Sequence, residues 1–453
     1  MNALLASAPL LLRRRGALAD LLPVIAFAAA TAITGTVLGG AAAFVGRLPA
    51  EDAPAMSGEA SLIPFLVMCA MVASVLLIPS AVGLGGSAAR LSLARREQDL
   101  ATIRLVGGTG GQVGGVAVLD VAAQALLGAL LGVGLHLVVT PALTALDFGI
   151  TPFTTADLLM PWWAYPLLVL GMVLLAAGSA AVSLTGVVLS PLGVARDSRV
   201  VRMSVLRVII WAVLIVGFLV FAQFGSMLLG PIADGLVFFA VMILFIGAVV
   251  AGVNVIGPFI VWGVALFVAR TAPMPGLLVG ARRLAADPKA GWRAVSGITF
   301  ALVIAGFLTV LALLTRDDGT GGAEDAMMAT AMSTGGLLTL GIAAVLAAVS
   351  TGVTQTARVI DQAPVLRSQH IAGAQVGQLH RARIAEIVLP VLLSSVLATF
   401  TSLLVVMAVL GGAPNDPIVA VQYLASVLGA YALVIAAVLI GSPLVRRYAE
   451  RGA

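Results

Sequence analysis

Apolar residues in this chain gather into long runs rather than alternating. Ten runs are predicted to form membrane spans, at 21–45, 62–84, 113–139, 163–188, 205–224, 236–268, 294–314, 337–356, 385–411 and 420–445. Runs of about 20 apolar residues match the ~30 Å hydrocarbon core when helical. They are far too long for barrel strands, and lipid requires every backbone polar group to be satisfied internally, so the spans read as helices. Span six, at about 33 residues, predicts a tilt, a break near Gly257-Pro258 or a part outside the bilayer.

Between spans two and three the pattern changes. Over 90–106, Leu93, Leu100, Ile103 and Val106 share one helical face, while Arg95 and Asp99, four apart, can pair on the polar face. This predicts a short amphipathic helix at the membrane surface, ended by Gly107-Gly108. Segment 358–372 carries Arg358, Asp361, Arg367 and His370, and Pro364 predicts a helix start or kink there.

These two segments lead into a repeated pattern. Gly107, Gly111, Gln112 and Asp120 recur 266 positions later as Gly373, Gly377, Gln378 and Glu386. Four spans surround each copy, with spans five and six between them. Each repeat has an even number of spans, so the copies keep the same orientation and form a parallel repeat. Asp120 and Glu386 stand near the start of their spans and read as structural ion pairs anchoring the helices, since acids inside a span are costly.

Composition excludes a soluble globule: 61% of residues are hydrophobic and 10% charged, against about 45–50% and about 25% in soluble domains. With both termini cytoplasmic, the external loops hold only Arg47 and Arg316 as basic residues. The same loops hold eleven acids, running from Glu51 and Asp52 to Asp416. The positive-inside rule fixes that orientation for a multi-pass cell-membrane protein. Arg13-Arg14-Arg15 precede a run too long for a signal peptide, so 21–45 reads as a retained first helix. The leucines before them suit a short interfacial helix or a frayed tail.

The basic residues form no patch with interleaved aromatics, so no nucleic acid is expected as a partner; membrane lipids are. Cys69 is the one cysteine and gives no disulfide framework. No phosphate-loop motif is present, and the sole lysine, Lys289, lies outside the glycine-rich run 107–115. His136, His370 and His380 show no metal-ligand grouping, so no metal site is expected. No catalytic arrangement is read from spacing, and the chain is not expected to be an enzyme. Gln124 and the glycines Gly128, Gly132 and Gly134 read as helix-packing residues.

The stretch ARREQDLATIRLVGGTGGQVGGVAVLD, residues 94–120, resembles the signature of FtsX-like ABC transporter permeases. There, a basic amphipathic coupling segment leads to a Gly-Ala-Thr-like turn, a glutamine, and an apolar helix opening with Leu-Glu. Gly107-Gly108-Thr109, Gln112 and Leu119-Asp120 match, with aspartate in place of glutamate. Gly373-Ala374, Gln378 and Glu386 match again, with Gln375 in place of threonine. The four-two-four layout is similar to the ten-span BceB-like branch, but 315–336 is too short for its large external domain.

The resemblance implies an all-α polytopic membrane protein: ten transmembrane helices as two parallel four-helix FtsX-like repeats joined by a two-helix linker. The expected organisation has a cytoplasmic or interfacial N-terminus at 1–20 and a first repeat at 21–190 with coupling segment 90–110. The linker at 205–268 and a cytoplasmic connector at 270–293 follow. The second repeat at 294–445 holds coupling segment 358–380, before a cytoplasmic tail at 446–453. The resemblance further implies a type VII, mechanotransmission assembly with a separate cytosolic ABC ATPase dimer. That partner binds ATP and magnesium, and this chain holds no cofactor. Arg95, Arg96, Glu97, Asp99, Leu100, Ile103 and Arg104 would form one ATPase-facing surface. Arg358, Asp361, Leu366, Arg367 and His370 would form the other. The expected action is export or extraction of a lipid or amphipathic peptide at the outer leaflet. Alternatives are an ion-coupled secondary transporter and a non-transporting regulator of an extracellular enzyme.

Overall fold

The computed structural model describes residues 17–49, 58–105, 107–188, 205–229, 235–272, 274–289, 291–292, 323–371 and 388–401, with a few single positions besides. All regular structure among the described residues is helical. The helices are α1 (Ala17–Val45), α2 (Glu59–Leu105), α3 (Gly110–Leu143), the short α4 (Thr155–Leu158) and α5 (Ala164–Val188). Then come α6 (Val205–Leu229), α7 (Gly235–Thr271), α8 (Pro275–Ala286), α9 (Ala323–Ile371) and α10 (Val388–Thr401). Six of the described helices are long and apolar enough to cross a bilayer. Most of span seven (294–314), the last residues of span nine and most of span ten lie outside the described residues, as do Gly373, Gly377 and Gln378.

Two expectations change. Span two and the segment after it are one helix: α2 runs unbroken for 47 residues, about 70 Å at 1.5 Å per residue. The amphipathic segment is therefore the end of a rod, not a separate helix at the membrane surface. Span eight and segment 358–372 likewise merge in α9, 49 residues long, which passes through Pro364 without ending. A proline costs one intrahelical bond, and in both rods the helix continues on either side. Span six is also continuous through Gly257-Pro258 as part of α7, where Gly257 leaves the space that Trp292 fills.

The chain divides into two compact units. One holds 1–35, 81–138 and 161–194. Its core is built of small residues: Ala26, Ala30, Ala88, Ala89, Ala117, Ala125, Ala129, Ala176 and Ala180 are all fully buried. Gly128 and Gly132 bring α3 directly onto the backbone of α1. A Cβ at Gly132 would stand 2.5 Å from the Ala28 carbonyl oxygen, and one at Gly128 would stand 2.5 Å from Phe27 Cβ. Gly134 faces open space. Between apolar helices in lipid, such close backbone approach supplies much of the association energy. Thr31 and Thr34 donate their hydroxyls to the Phe27 and Ala30 carbonyls at 2.8 Å, which satisfies both hydroxyls within α1. Leu119, Leu127, Leu131 and Val138 of α3 and Leu174 and Val182 of α5 point outward, as lipid contact requires.

The other unit holds 36–80, 139–160 and 195–453. It contains α6 packed on α7, α7 packed on α8, and the helix ends near Arg47.

Candidate coupling site

The turn between α2 and α3 is built from the repeated pattern. Gly107 has φ +99°, the left-handed conformation that glycine adopts without strain. It closes α2 two residues after Leu105. Thr109 then caps α3 in a reciprocal arrangement. The Thr109 N–H donates to Gln112 Oε1 at 3.1 Å, and the Gln112 N–H donates to Thr109 Oγ1 at 3.4 Å. This is a capping box, with glutamine in the third position. Gln112 thus holds the Thr109 backbone at the start of α3. Gly111 is exposed with nothing near a would-be Cβ, so packing does not require a glycine there.

Further along, 15 residues before Gly107 and 15 after Thr109, the two helices are pinned. Ser92 Oγ of α2 donates to Gln124 Oε1 of α3 at 3.0 Å, and Gln124 Nε2 donates to Asp120 Oδ2 at 2.8 Å. Ser92 and Gln124 are buried, Leu93 beside them is buried, and Asp120 is half-buried. An amide placed between hydroxyl and carboxylate satisfies both ends, so the acid has a hydrogen-bonding partner near the start of its span. Ser179 of α5 adds a bond of 3.3 Å to the Gly86 carbonyl.

At the Arg47 end, residues 144–163 fold into a compact loop. Arg47 donates to the carbonyls of Thr151 and Pro152, faces Asp157 at 3.6 Å and lies 3.8 Å above the Phe153 ring centroid. Phe44, Phe148 and Phe153 meet edge to face, at 5.0 to 5.9 Å between centroids. Ala43, Leu66, Ile150, Leu158 and Ala331 complete this core. Asp157 closes a capping box with Thr154, at 2.9 Å from the Thr154 N–H. That backbone bond, then the Thr154 hydroxyl, then Arg47, hold its carboxyl below the ordinary value.

Residues 71–188 match the family model of the FtsX-like permease C-terminal domain. The chain carries an FtsX-like permease domain. The match covers most of α2, all of α3 and α5, and the loop between them. No curated protein and no solved structure matches the chain. The six described helices able to span fit a multi-pass membrane protein, and the matched domain is one of FtsX-like permeases.

Arg95, Arg96, Glu97, Asp99, Leu100, Ile103 and Arg104 fall on the last turns of α2, within the matched domain. Arg358, Asp361, Leu366, Arg367 and His370 fall on the last turns of α9. The backbone of both sets is helical; their side chains lie outside the described residues. Glu386 is helical and half-buried. Sequence reading missed two things: the Ser92 partner of Gln124, and the folded loop at 144–163. The aromatic spacing Phe148 to Phe153 beside Thr154-x-x-Asp157 was the available signal for the second.

Proposed function

We propose that this protein is the permease subunit of a type VII mechanotransmission ABC transporter. A separate cytosolic ATPase dimer binds ATP and magnesium, docks on the ends of α2 and α9, and drives export or extraction of a lipid or amphipathic peptide at the outer leaflet. Both termini are cytoplasmic, and the Gly107 end faces the cytosol.

The observation that carries this reading is the pair of rods. α2 is helical to Leu105, and α9 is helical through Ile371, the last residue described before the second pattern. Each rod reaches past the length a ~30 Å hydrocarbon core needs and carries basic residues towards the repeated pattern, Arg104 in one and Arg367 in the other. A continuous helix carries displacement of its end into the spans better than a surface helix joined by a flexible link. The exposed apolar residues of α3 and α5 suit a substrate met from within the membrane.

The test is purification with the ATPase encoded beside this chain. The two are expected to co-elute, and Arg96→Glu with Arg367→Glu is expected to lower binding and ATP turnover together. Unchanged binding and turnover in the double variant would remove the docking assignment.

A further inference from the structure

The loop 144–163 is longer than a connector between neighbouring helices needs, about 2–8 residues, and it is built rather than slack. It holds the starts of both rods. Glu59, the first residue of α2, accepts from the Thr151 N–H at 3.1 Å and from the Thr151 hydroxyl at 2.8 Å. Gly149, at φ +66°, lies against the first turns of α9 so closely that a Cβ there would stand 2.6 Å from the Met327 carbonyl oxygen. Glu324, at the start of α9, accepts from the Gly58 N–H at 2.7 Å. The aromatic core adds Leu66 from α2 and Ala331 from α9.

We infer that residues 144–163, with Arg47 as their rivet, form a clip that fixes the starts of α2 and α9 as a common pivot. The distal ends of the rods swing while the clipped ends stay together. Three kinds of bond act on the same loop: a bidentate carboxylate, a guanidinium shared among two carbonyls, a carboxylate and a ring, and direct backbone contact at Gly149. All three act on one short loop, so each adds to the same fixing and loss of any one loosens it. The swinging motion rests on the ATPase-coupled reading above; the clip itself does not.

The experiment uses the full-length permease in lipid nanodiscs with Cys69→Ala. Spin labels are placed at Ser61→Cys and Ala326→Cys, both exposed near the starts of the rods. The clip predicts one narrow distance distribution, lost or broadened in Arg47→Ala and in Thr151→Val, which adds no bulk, and in Gly149→Val. A distribution unchanged in all three overturns the clip. With the ATPase added, this distance is expected to stay constant between ADP-bound and ATP-trapped states. A shift as large as that of a pair at Thr102→Cys and Ser368→Cys overturns the pivot. Were that second pair immobile, the ATPase-driven reading would fall while the nucleotide-free result on the clip still stood.

Discussion

Gly58 and Glu324 meet through a 2.7 Å bond from backbone N–H to carboxylate, and they are 266 residues apart. That is also the sequence interval between Gly107 and Gly373, and the bond stands beside Glu59, the first residue of α2.

The close approach of α3 to α1 predicts a graded series. Gly132→Val forces its side chain into the Ala28 carbonyl and Thr31 and is expected to cost about 1–3 kcal/mol or more. Gly134→Ala meets nothing and is expected to be neutral or stabilising by up to about 1 kcal/mol. Thermal unfolding in detergent checks both; equal effects at the two sites would contradict this packing.

The Ser92–Gln124–Asp120 chain predicts energetic coupling between α2 and α3. In a double-mutant cycle, Ser92→Ala and Gln124→Leu should be non-additive by about 0.6 kcal/mol and by no more than about 1.7, as for hydrogen bonds between membrane helices. Additive single effects would show that the bond carries no net energy. The copy 266 residues on has Arg358 and Pro390 in place of Ser92 and Gln124, so this clamp is not repeated in kind. Unequal effects of matched substitutions in the two halves are therefore expected.

Asp157 predicts a pH response of the loop. Its folded pKa lies below the ordinary 3.8, because the Thr154 backbone N–H, the Thr154 hydroxyl and Arg47 favour the carboxylate. A depressed folded pKa contributes stability above the unfolded value, which is lost as pH falls through the folded one. The loop should hold from neutral pH down to about pH 5 and loosen only below about 3.8. Fluorescence of the exposed Trp162 and Trp163, the last residues of the loop, reads this. Asp157→Asn should flatten the transition, and a transition that persists would assign it to another group.

Thr109→Ala removes half of the capping box and is expected to cost about 1 kcal/mol in the start of α3. Gly107→Ala places a Cβ in the left-handed region at about 1–2 kcal/mol. Both should lower ATP turnover in the complex while leaving the thermal midpoint of the permease nearly unchanged. A large drop in the midpoint with normal turnover would make the turn purely structural.

The spans of the first repeat were legible because lipid leaves helices as the only option, and apolar runs mark them. The turn was legible in part: Gly107 is the helix stop its position implied, and Gly128 and Gly132 pack as small residues should. Gly111 and Gly134 looked the same in sequence but meet nothing, since one sequence cannot tell which face of a helix finds a neighbour. The rods were misread because Arg90 and Pro364 signal a boundary locally, whereas a helix continues through a change of surroundings from lipid to water. The Glu59–Thr151 and Gly58–Glu324 bonds join residues 92 and 266 apart, and no periodicity reports contacts at such separations.

The most direct test uses spin labels at Thr102→Cys and Ser368→Cys in Cys69→Ala permease. These equivalent, exposed positions lie near the ends of α2 and α9. In nanodiscs with the ATPase bound, the distance between them is expected to change between ADP-bound and ATP-trapped states, and not in Arg96→Glu with Arg367→Glu. An unchanged distance in a complex that binds and turns over ATP would contradict the account.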